Sequence, residues 1–167
     1  SAVGVGSTFW MELRAGRTKS RGKPEVMVNI EAGKAPASTV KPGSNAKVLY
    51  IEDTMANVQL MRFIVKRLSG VELLDTDTAE SGIVLAVKSH PDLILMDINL
   101  PGMDGIEALQ ILRQKEVTRD IPVIAISAAA MAHDLERIQQ AGFDDILSKP
   151  FNIHTVPAIL SKHLYRA

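Results

Sequence analysis

The chain has 167 residues, of which 46% are hydrophobic, and it carries 19 acidic and 19 basic side chains. This length accommodates one domain with its own hydrophobic core together with some additional chain. The lack of cysteine excludes a disulfide scaffold and a thiolate metal site. Because no apolar run in the sequence approaches the length of a membrane span, we expect no membrane contact from this fragment.

Charge is distributed unevenly between the two parts of the chain. Residues 1 to 46 hold seven Lys and Arg against three Asp and Glu, a net charge of +4. Residues 47 to 167 hold twelve against sixteen, a net charge of −4. An acidic domain lacks the basic face that nucleic-acid binding usually requires, so we expect no nucleic acid as a partner.

The first 46 residues divide into two segments. Residues 1 to 13 contain a Gly-x-Gly turn and then a β-rich stretch that ends at Leu13. Residues 14 to 46 contain several glycines and prolines with little periodicity, which is typical of a linker. We therefore expect one globular domain over residues 47 to 167.

Five apolar runs alternate with helical patterns from residue 47 onwards. Leu93 to Met96 is continuously apolar, as expected of a strand that is buried on both faces of a parallel sheet. The alternation predicts five βα units with right-handed crossovers, which form an α/β domain with helices on both faces of a parallel sheet. The predicted strands are Lys47 to Ile51, Val71 to Leu74, Leu93 to Met96, Ile121 to Ile126 and Phe143 to Leu147.

Apolar residues at helical spacing predict a helix after each strand. Thr54 is placed to cap the first helix, which we expect to end at Gly70, and Asp104 is placed to cap the third. The last helical face is predicted to begin at Ile153. Pro157 fits this helix only within its first turn.

Polar residues follow four of the predicted strands at the same end. Glu52 and Asp53 follow the first strand, Asp97 the third, Ser127 the fourth and Lys149 the fifth. Ligands of open parallel sheets bind outside the carboxyl ends of the strands. Three neighbouring carboxylates repel one another and therefore require a raised pKa or a cation. Oxygen ligands without cysteine suit Mg²⁺; the alternative is a structural acidic cluster.

These residues, with Met96-Asp-Ile-Asn-Leu-Pro-Gly-Met-Asp-Gly105 and Ser148-Lys-Pro-Phe151, resemble the receiver domain of two-component response regulators and hybrid histidine kinases. The resemblance covers roughly residues 47 to 165. It implies a flavodoxin-like receiver fold with five parallel strands in the order 2-1-3-4-5. It also implies a phosphorelay function in which Asp97 accepts a phosphoryl group from a phosphohistidine.

The resemblance further implies how a metal ion is held. Asp53 and Asp97 would ligate Mg²⁺ directly, the backbone carbonyl of Asn99 would add a third ligand, and Glu52 would hold a bound water. Magnesium retains several waters and takes few protein ligands, which is consistent with this set.

The remaining implied roles concern phosphoryl transfer and signalling. Lys149 and Ser127 would contact phosphoryl oxygens, so that the fragment catalyses its own phosphorylation, and the family has a cis peptide bond between the lysine and Pro150. Ser127 would also act as a switch residue. The family often has Tyr or Phe at the other switch position, where this chain has Ile146. We therefore expect a switch without an aromatic hydrogen bond.

A second resemblance covers only about a dozen residues. The sequence Gly4-Val-Gly6-Ser-Thr-Phe9, followed by Leu13, looks like the last glycine box and final strand of a histidine-kinase ATP-binding domain. It implies that residues 1 to 13 are a remnant of that domain and that the parent protein is a hybrid histidine kinase. The expected partners are a histidine kinase core, in cis or in trans, and a histidine phosphotransfer domain. We expect a cytoplasmic location, with a parent protein that could be membrane-anchored.

Alternative functions are less consistent with the same residues. A phosphatase of the haloacid dehalogenase type also uses a strand-end Asp nucleophile, but it needs a second Asp where this chain has Asn99. A flavodoxin-like cofactor domain would need a hydroxyl-rich phosphate loop after the first strand. A receiver-like scaffold that is never phosphorylated would not need the complete set of acids. We expect the four histidines to be surface or packing residues: His90, His133, His154 and His163.

Overall fold

The computed structural model describes residues 45–128 and 132–165, except the side chains of residues 132–134. Within these ranges strands and helices alternate strictly. The strands are β1 (Ala46–Ile51), β2 (Val71–Thr76), β3 (Leu93–Asp97), β4 (Val123–Ser127) and β5 (Asp145–Ser148). The helices are α1 (Met55–Val65), α2 (Ala79–Ser89), α3 (Gly105–Gln114), α4 (Ala132–Ala141) and α5 (Thr155–Leu164).

The strands form one parallel sheet in the order β2-β1-β3-β4-β5. Every residue of β3 and β4 is buried, as their continuous apolar runs predict for strands covered on both faces. The predicted fold class and strand order are therefore confirmed. Because the strands are parallel, the residues that follow β1, β3, β4 and β5 all lie at one edge of the sheet.

Helices cover both faces of the sheet. On one face, the apolar sides of α1 and α5 pack against alternate residues of the central strands, including Tyr50 and Leu95. On the other face, α2 and α3 pack against the intervening residues, including Leu49 and Met96. A third apolar cluster joins the α4 residue Ile138 to the loop after β3. The alternation along β1 places Tyr50 on the α1 face.

Several predicted boundaries are wrong by a few residues. The first helix ends at Val65 rather than at Gly70, which has a positive φ of 75° and lies in the turn before β2. Only glycine adopts such a φ readily, so this residue marks the end of the connection rather than of the helix. The last helix begins at Thr155, and Ile153 is 49% exposed instead of lying on its buried face.

The helix ends show which predicted caps form. Asp104 caps α3 in a reciprocal capping box with Glu107. Thr54 stands at the N-cap of α1, but its hydroxyl donates to Asp53 Oδ1 at 3.3 Å instead of accepting from the helix. Pro157 lies in the first turn of α5, as its missing amide hydrogen requires.

Some predictions fall outside the described residues. They are the remnant at 1 to 13, most of the linker at 14 to 46, and the side chain of His133.

Within the described chain, no helix is both long enough and apolar enough to cross a membrane. His90 and His154 are exposed and His163 is buried, in agreement with surface and packing roles.

Candidate functional site

The structure brings the predicted acidic residues together at the carboxyl edge of the sheet. Asp97 is the last residue of β3 and is buried, whereas Glu52 and Asp53 follow the neighbouring strand β1. One carboxylate oxygen from each of the three side chains can be chosen so that all lie within 4.8 Å of one another. Glu52 is buried and Asp53 is exposed, so the group opens to solvent on the Asp53 side.

A single lysine bridges two of these acids. Lys149 Nζ lies 2.6 Å from Asp97 Oδ2 and 2.8 Å from Glu52 Oε2. Burial alone would lower the pKa of Lys149, but its bonds to Asp97 and Glu52 outweigh burial and raise that pKa. We call Glu52, Asp53, Asp97 and Lys149 the carboxyl-edge cluster. It sets three carboxylates against one ammonium group.

The chemistry of the carboxyl-edge cluster fits a magnesium ion. Its acids offer oxygen ligands, which hard divalent cations prefer, and one carboxylate is exposed for metal entry. The amide N–H of Asn99 donates to Asp97 Oδ1 at 3.1 Å, which holds the Asn99 backbone beside the cluster. A divalent cation would offset the excess negative charge that Lys149 leaves.

Glu52 accepts hydrogen bonds that the sequence analysis did not predict. The Tyr50 hydroxyl donates to Oε2 at 2.7 Å, and Asn57 Nδ2 donates to Oε1 at 2.9 Å. The amide of Thr54 also donates to Oε1, at 3.3 Å. Burial alone would raise the pKa of Glu52, but the bonds from Lys149, Asn57 and Tyr50 outweigh it and lower that pKa. Glu52 is thus held as a carboxylate.

The periodicity of β1 contained a signal for one of these contacts. Residues two apart in a strand face the same side of the sheet, so Tyr50 and Glu52 share a face. Tyr50 is fully buried, and a buried tyrosine hydroxyl usually finds a partner. Burial and the bond to Glu52 both raise the pKa of Tyr50, so its hydroxyl stays a donor.

The backbone links Lys149 to the predicted hydroxyl donor. Ser127 is buried at the end of β4, and its carbonyl oxygen accepts from the Lys149 amide at 2.8 Å. The peptide bond between Lys149 and Pro150 is cis, as the resemblance implies. Ser127 and Lys149 therefore lie on adjacent chain segments at the same edge.

Comparison with protein families identifies the domain. A family model described as the response regulator receiver domain matches residues 48–161, well over half of the chain. The chain belongs to this family. The assignment confirms the predicted receiver and does not favour the haloacid dehalogenase alternative. Receivers of this kind take phosphoryl groups from histidine kinases or phosphotransfer proteins, and they bind Mg²⁺ at an acidic site.

Individual relatives agree with the family assignment. The polar-differentiation response regulator DivK of Brucella ovis is 42% identical over 106 residues, which cover 64% of this chain and 85% of that protein. The receiver domain of sensor histidine kinase PA1611 from Pseudomonas aeruginosa PAO1 is 30% identical, with a TM-score of 0.68, covering 74% of this chain and 100% of that one. That structure is described with a magnesium ion coordinated in its active site cleft.

A more distant structure supports the fold alone. The chemotaxis response regulator CheY4 of Vibrio cholerae is 24% identical, with a TM-score of 0.68, and covers 72% of this chain and 100% of that one. The receiver fold is therefore shared at low sequence identity.

The predicted switch residues of this receiver lie on the paired strands β4 and β5, Ser127 at the end of β4 and Ile146 within β5. Ile146 is half-buried and packs against an apolar cluster that includes Ile98 and Ile138. A cavity of about 250 Å³ beside this cluster is lined by Asn99, Ser127 and the α4 residue Ile138, among others. Ser127 thus borders open space on the side of α4. The switch role itself stays a prediction.

A glycine that the sequence analysis did not single out packs against the end of β3. A Cβ built on Gly105 would collide with the carbonyl oxygen of Asp97 and lie 3.0 Å from the Cα of Ile98. The Gly105 amide donates to the Ile98 carbonyl oxygen at 3.0 Å. Since Gly105 is also the first residue of α3, it allows the helix to begin against the Asp97 backbone.

Proposed function

We propose that this receiver accepts a phosphoryl group on Asp97 from a phosphohistidine, in a reaction that depends on Mg²⁺. The observation that carries the proposal is the position of the Asp97 carboxylate. It lies at the end of a buried central strand, 2.6 Å from the Lys149 ammonium and within 4.8 Å of two further carboxylates. The buried Asp97 carboxylate shares the Lys149 ammonium with Glu52. It can give up this contact when it binds a phosphoryl group and a metal ion.

The transfer step follows from simple bond changes. An oxygen of the Asp97 carboxylate forms a bond to phosphorus, and the bond between phosphorus and the donor imidazole nitrogen breaks. The electron pair of that bond stays on the imidazole, and Asp97 becomes an acyl phosphate. Such transfer is governed by positioning and by neutralisation of the phosphoryl oxygens. Lys149 supplies a cation for one oxygen, and the Ser127 hydroxyl donates to another.

Asp53, Asp97 and the backbone carbonyl of Asn99 would hold the magnesium ion, and Glu52 would hold one of its waters. When bound, the ion supplies the positive charge that offsets the acids and the incoming phosphoryl oxygens. The magnesium described in the PA1611 receiver supports this assignment. The exposed Asp53 gives the ion a path from solvent.

We further propose that phosphorylation draws Lys149 and Ser127 toward the phosphoryl oxygens and that Ile146 responds by repacking. The open space beside Ser127 leaves room for this residue to move. Lys149→Ala should therefore leave some phosphorylation but uncouple it from the conformational response. The aliphatic Ile146 can change its packing without forming a hydrogen bond.

The wider context is also part of the proposal. In this proposal residues 1–13 are a remnant of a kinase ATP-binding domain, 14–46 a linker and 47–167 the receiver of a hybrid histidine kinase, and this part of the kinase lies in the cytoplasm. The phosphoryl donor is the kinase core or a histidine phosphotransfer domain. The PA1611 receiver, which comes from a sensor histidine kinase, supports this context. The acidic charge of residues 47 to 167 favours protein partners over nucleic acid.

The proposal is tested by incubating the protein with acetyl phosphate and Mg²⁺ and measuring its intact mass. We expect the mass gain of one phosphoryl group, which is lost when Mg²⁺ is chelated. Asp97→Asn keeps the shape of the side chain and should abolish the gain. Asp120→Asn is the matched control, because it removes the same charge from an exposed residue outside the site. Equal phosphorylation of the wild type and Asp97→Asn would contradict the proposal.

A further inference from the structure

The Glu52 carboxylate is surrounded by donors from the protein itself. Oε2 accepts from the Tyr50 hydroxyl at 2.7 Å and from Lys149 Nζ at 2.8 Å. Oε1 accepts from Asn57 Nδ2 at 2.9 Å and from the Thr54 amide at 3.3 Å. A carboxylate offers about four lone-pair sites. Both oxygens are therefore hydrogen-bonded by the protein before any metal ion arrives.

Two of these donors are held in fixed positions. Tyr50 is fully buried among the core residues that α1 and α5 cover, so its hydroxyl cannot follow Glu52 if the carboxylate moves. Asn57 belongs to the first turn of α1, directly beyond the loop that carries Asp53. Movement of Glu52 toward a metal ion would break both bonds and leave the Tyr50 hydroxyl buried without this acceptor, which is costly.

We propose that Tyr50 and Asn57 determine the metal preference of the receiver by holding Glu52 out of the first coordination shell, so that the site selects Mg²⁺ over Ca²⁺. This inference rests on the proposed magnesium site. It assigns a function to two residues that contact neither the metal ion nor the phosphoryl group.

The physical basis is the difference between the two ions in ligand number. Ca²⁺ takes six to eight oxygen ligands at about 2.3 to 2.6 Å and often uses a bidentate carboxylate. Mg²⁺ keeps several waters and needs few protein ligands. A third carboxylate that could swing inward would therefore improve a Ca²⁺ site more than a Mg²⁺ site. Tyr50 and Asn57 prevent this movement, which leaves Asp53 and Asp97 as the carboxylate ligands.

The test compares Mg²⁺ and Ca²⁺ binding by calorimetric titration of the full chain, one metal at a time and without a phosphoryl donor. Tyr50→Phe removes only the hydroxyl, and Asn57→Ala removes only the amide. Mutation of an outer-shell partner typically costs about 10- to 100-fold in metal affinity. Because the released Glu52 can then enter a Ca²⁺ site, we expect each variant to lose more affinity for Mg²⁺ than for Ca²⁺ and to lower the preference for Mg²⁺ by about tenfold.

Matched controls separate this effect from a general loss of side-chain polarity. Tyr165→Phe removes the same hydroxyl from an exposed residue after α5, and Gln59→Ala removes an amide from the exposed side of α1. Both controls should keep the wild-type preference. Thermal unfolding of each variant in the presence of a metal chelator shows whether the variant folds. If the buried Tyr50→Phe change prevents folding, Asn57→Ala still tests the inference.

Two results would overturn the inference. One is a Mg²⁺ to Ca²⁺ preference in Tyr50→Phe and Asn57→Ala that equals that of the controls. The other is an equal loss of both metals, which would mean that these residues maintain the whole site rather than its preference. Failure of the magnesium site itself is recognised differently, because the wild type and Asp53→Ala would then bind Mg²⁺ equally.

Discussion

Both ends of the sheet carry clustered acids, but the negative charge of these acids is balanced differently at the two ends. At the end where the strands begin, Asp144 pairs with Arg113 at 2.9 Å, and Asp145 Oδ2 lies 2.7 Å from Lys162 Nζ and 2.8 Å from His163 Nε2. We call these five residues the amino-edge cluster. At the other end, the three acids of the carboxyl-edge cluster share Lys149.

The difference distinguishes acids whose charge is offset by protein partners from acids that are left with excess negative charge. In the amino-edge cluster each acid has a cationic partner or a backbone donor, including the Val123 and Ile146 amides, so it ties α3 and α5 to the sheet. The carboxyl-edge cluster keeps an excess of negative charge that only an added cation can offset. Removing an acid from the amino-edge cluster should therefore destabilise the fold, whereas removing one from the carboxyl-edge cluster should relieve repulsion.

The largest stability effect is expected at the amino edge. Asp145→Asn removes the charge that attracts Lys162 and the buried His163, and loss of one partner of a buried pair is strongly destabilising. Because the Asp145 side chain is 16% exposed, solvent reduces the cost, and we expect a loss of about 2 kcal/mol of unfolding free energy. Denaturant-induced unfolding at neutral pH measures this change in the free energy of unfolding. An unchanged midpoint would show that the amino-edge cluster is not structural.

The same variant gives a pH test. Burial alone would raise the pKa of Asp145, but bonds from His163, Lys162 and the Ile146 amide outweigh it and hold that pKa well below its usual value. A group whose pKa is lowered by folding contributes stability above its unfolded pKa, about 3.9, and loses it as the pH falls toward the folded pKa. The stability gap between the wild type and Asp145→Asn should therefore narrow below about pH 4. A gap that widens there would contradict this assignment.

A loss of stability of similar size is expected from Gly105→Ala at the carboxyl edge. The added Cβ collides with backbone rather than with a mobile side chain, so the start of α3 or the Asp97 backbone must shift. Overpacking of this kind costs about 1 to 3 kcal/mol. Because the shift reaches the backbone of Asp97, the proposed acceptor, phosphorylation by acetyl phosphate should slow as well. Normal phosphorylation in a destabilised variant would show that only the helix moves.

The smallest effect should have the opposite sign. Asp53→Asn removes one of the mutually repelling charges. In chelator it should raise the free energy of unfolding by about 1 kcal/mol or less, and with it the melting temperature. Mg²⁺ should stabilise the wild type by mass action but not this variant. Thermal melting with and without Mg²⁺ measures both parts. Equal stabilisation of the two proteins by Mg²⁺ would place the metal ion elsewhere.

The fold could be predicted from the sequence because β3 and β4 are continuous apolar runs and the turns between elements are strongly marked. Boundaries were less predictable, since helical spacing continues past Val65 to Leu68 although the helix has ended. The isolated apolar residue Ile153 likewise extended the last helical pattern to an exposed position. Tertiary packing decides such ends, and local periodicity does not report it.

The acids and the lysine of the site could be predicted because parallel strands bring their ends to one edge. The network around Glu52 and the pairing of Asp145 with His163 were not predicted. Asn57 and His163 reach their partners from helices α1 and α5. Core packing sets the rotation of each helix about its own axis, and local sequence does not reveal it. The contact of Gly105 with Asp97 was also hidden, since it depends on a backbone approach that no side-chain pattern reveals.

The most direct test of the proposed acceptor locates the phosphoryl group itself. The protein is treated with phosphoramidate, a small donor with a phosphorus–nitrogen bond, in the presence of Mg²⁺. Hydroxylamine then converts any acyl phosphate into a stable hydroxamate, which peptide mass spectrometry assigns to a residue. We predict a hydroxamate at Asp97 that disappears when Mg²⁺ is chelated. A hydroxamate at Glu52 or Asp53, with Asp97 unmodified, would contradict the proposed function.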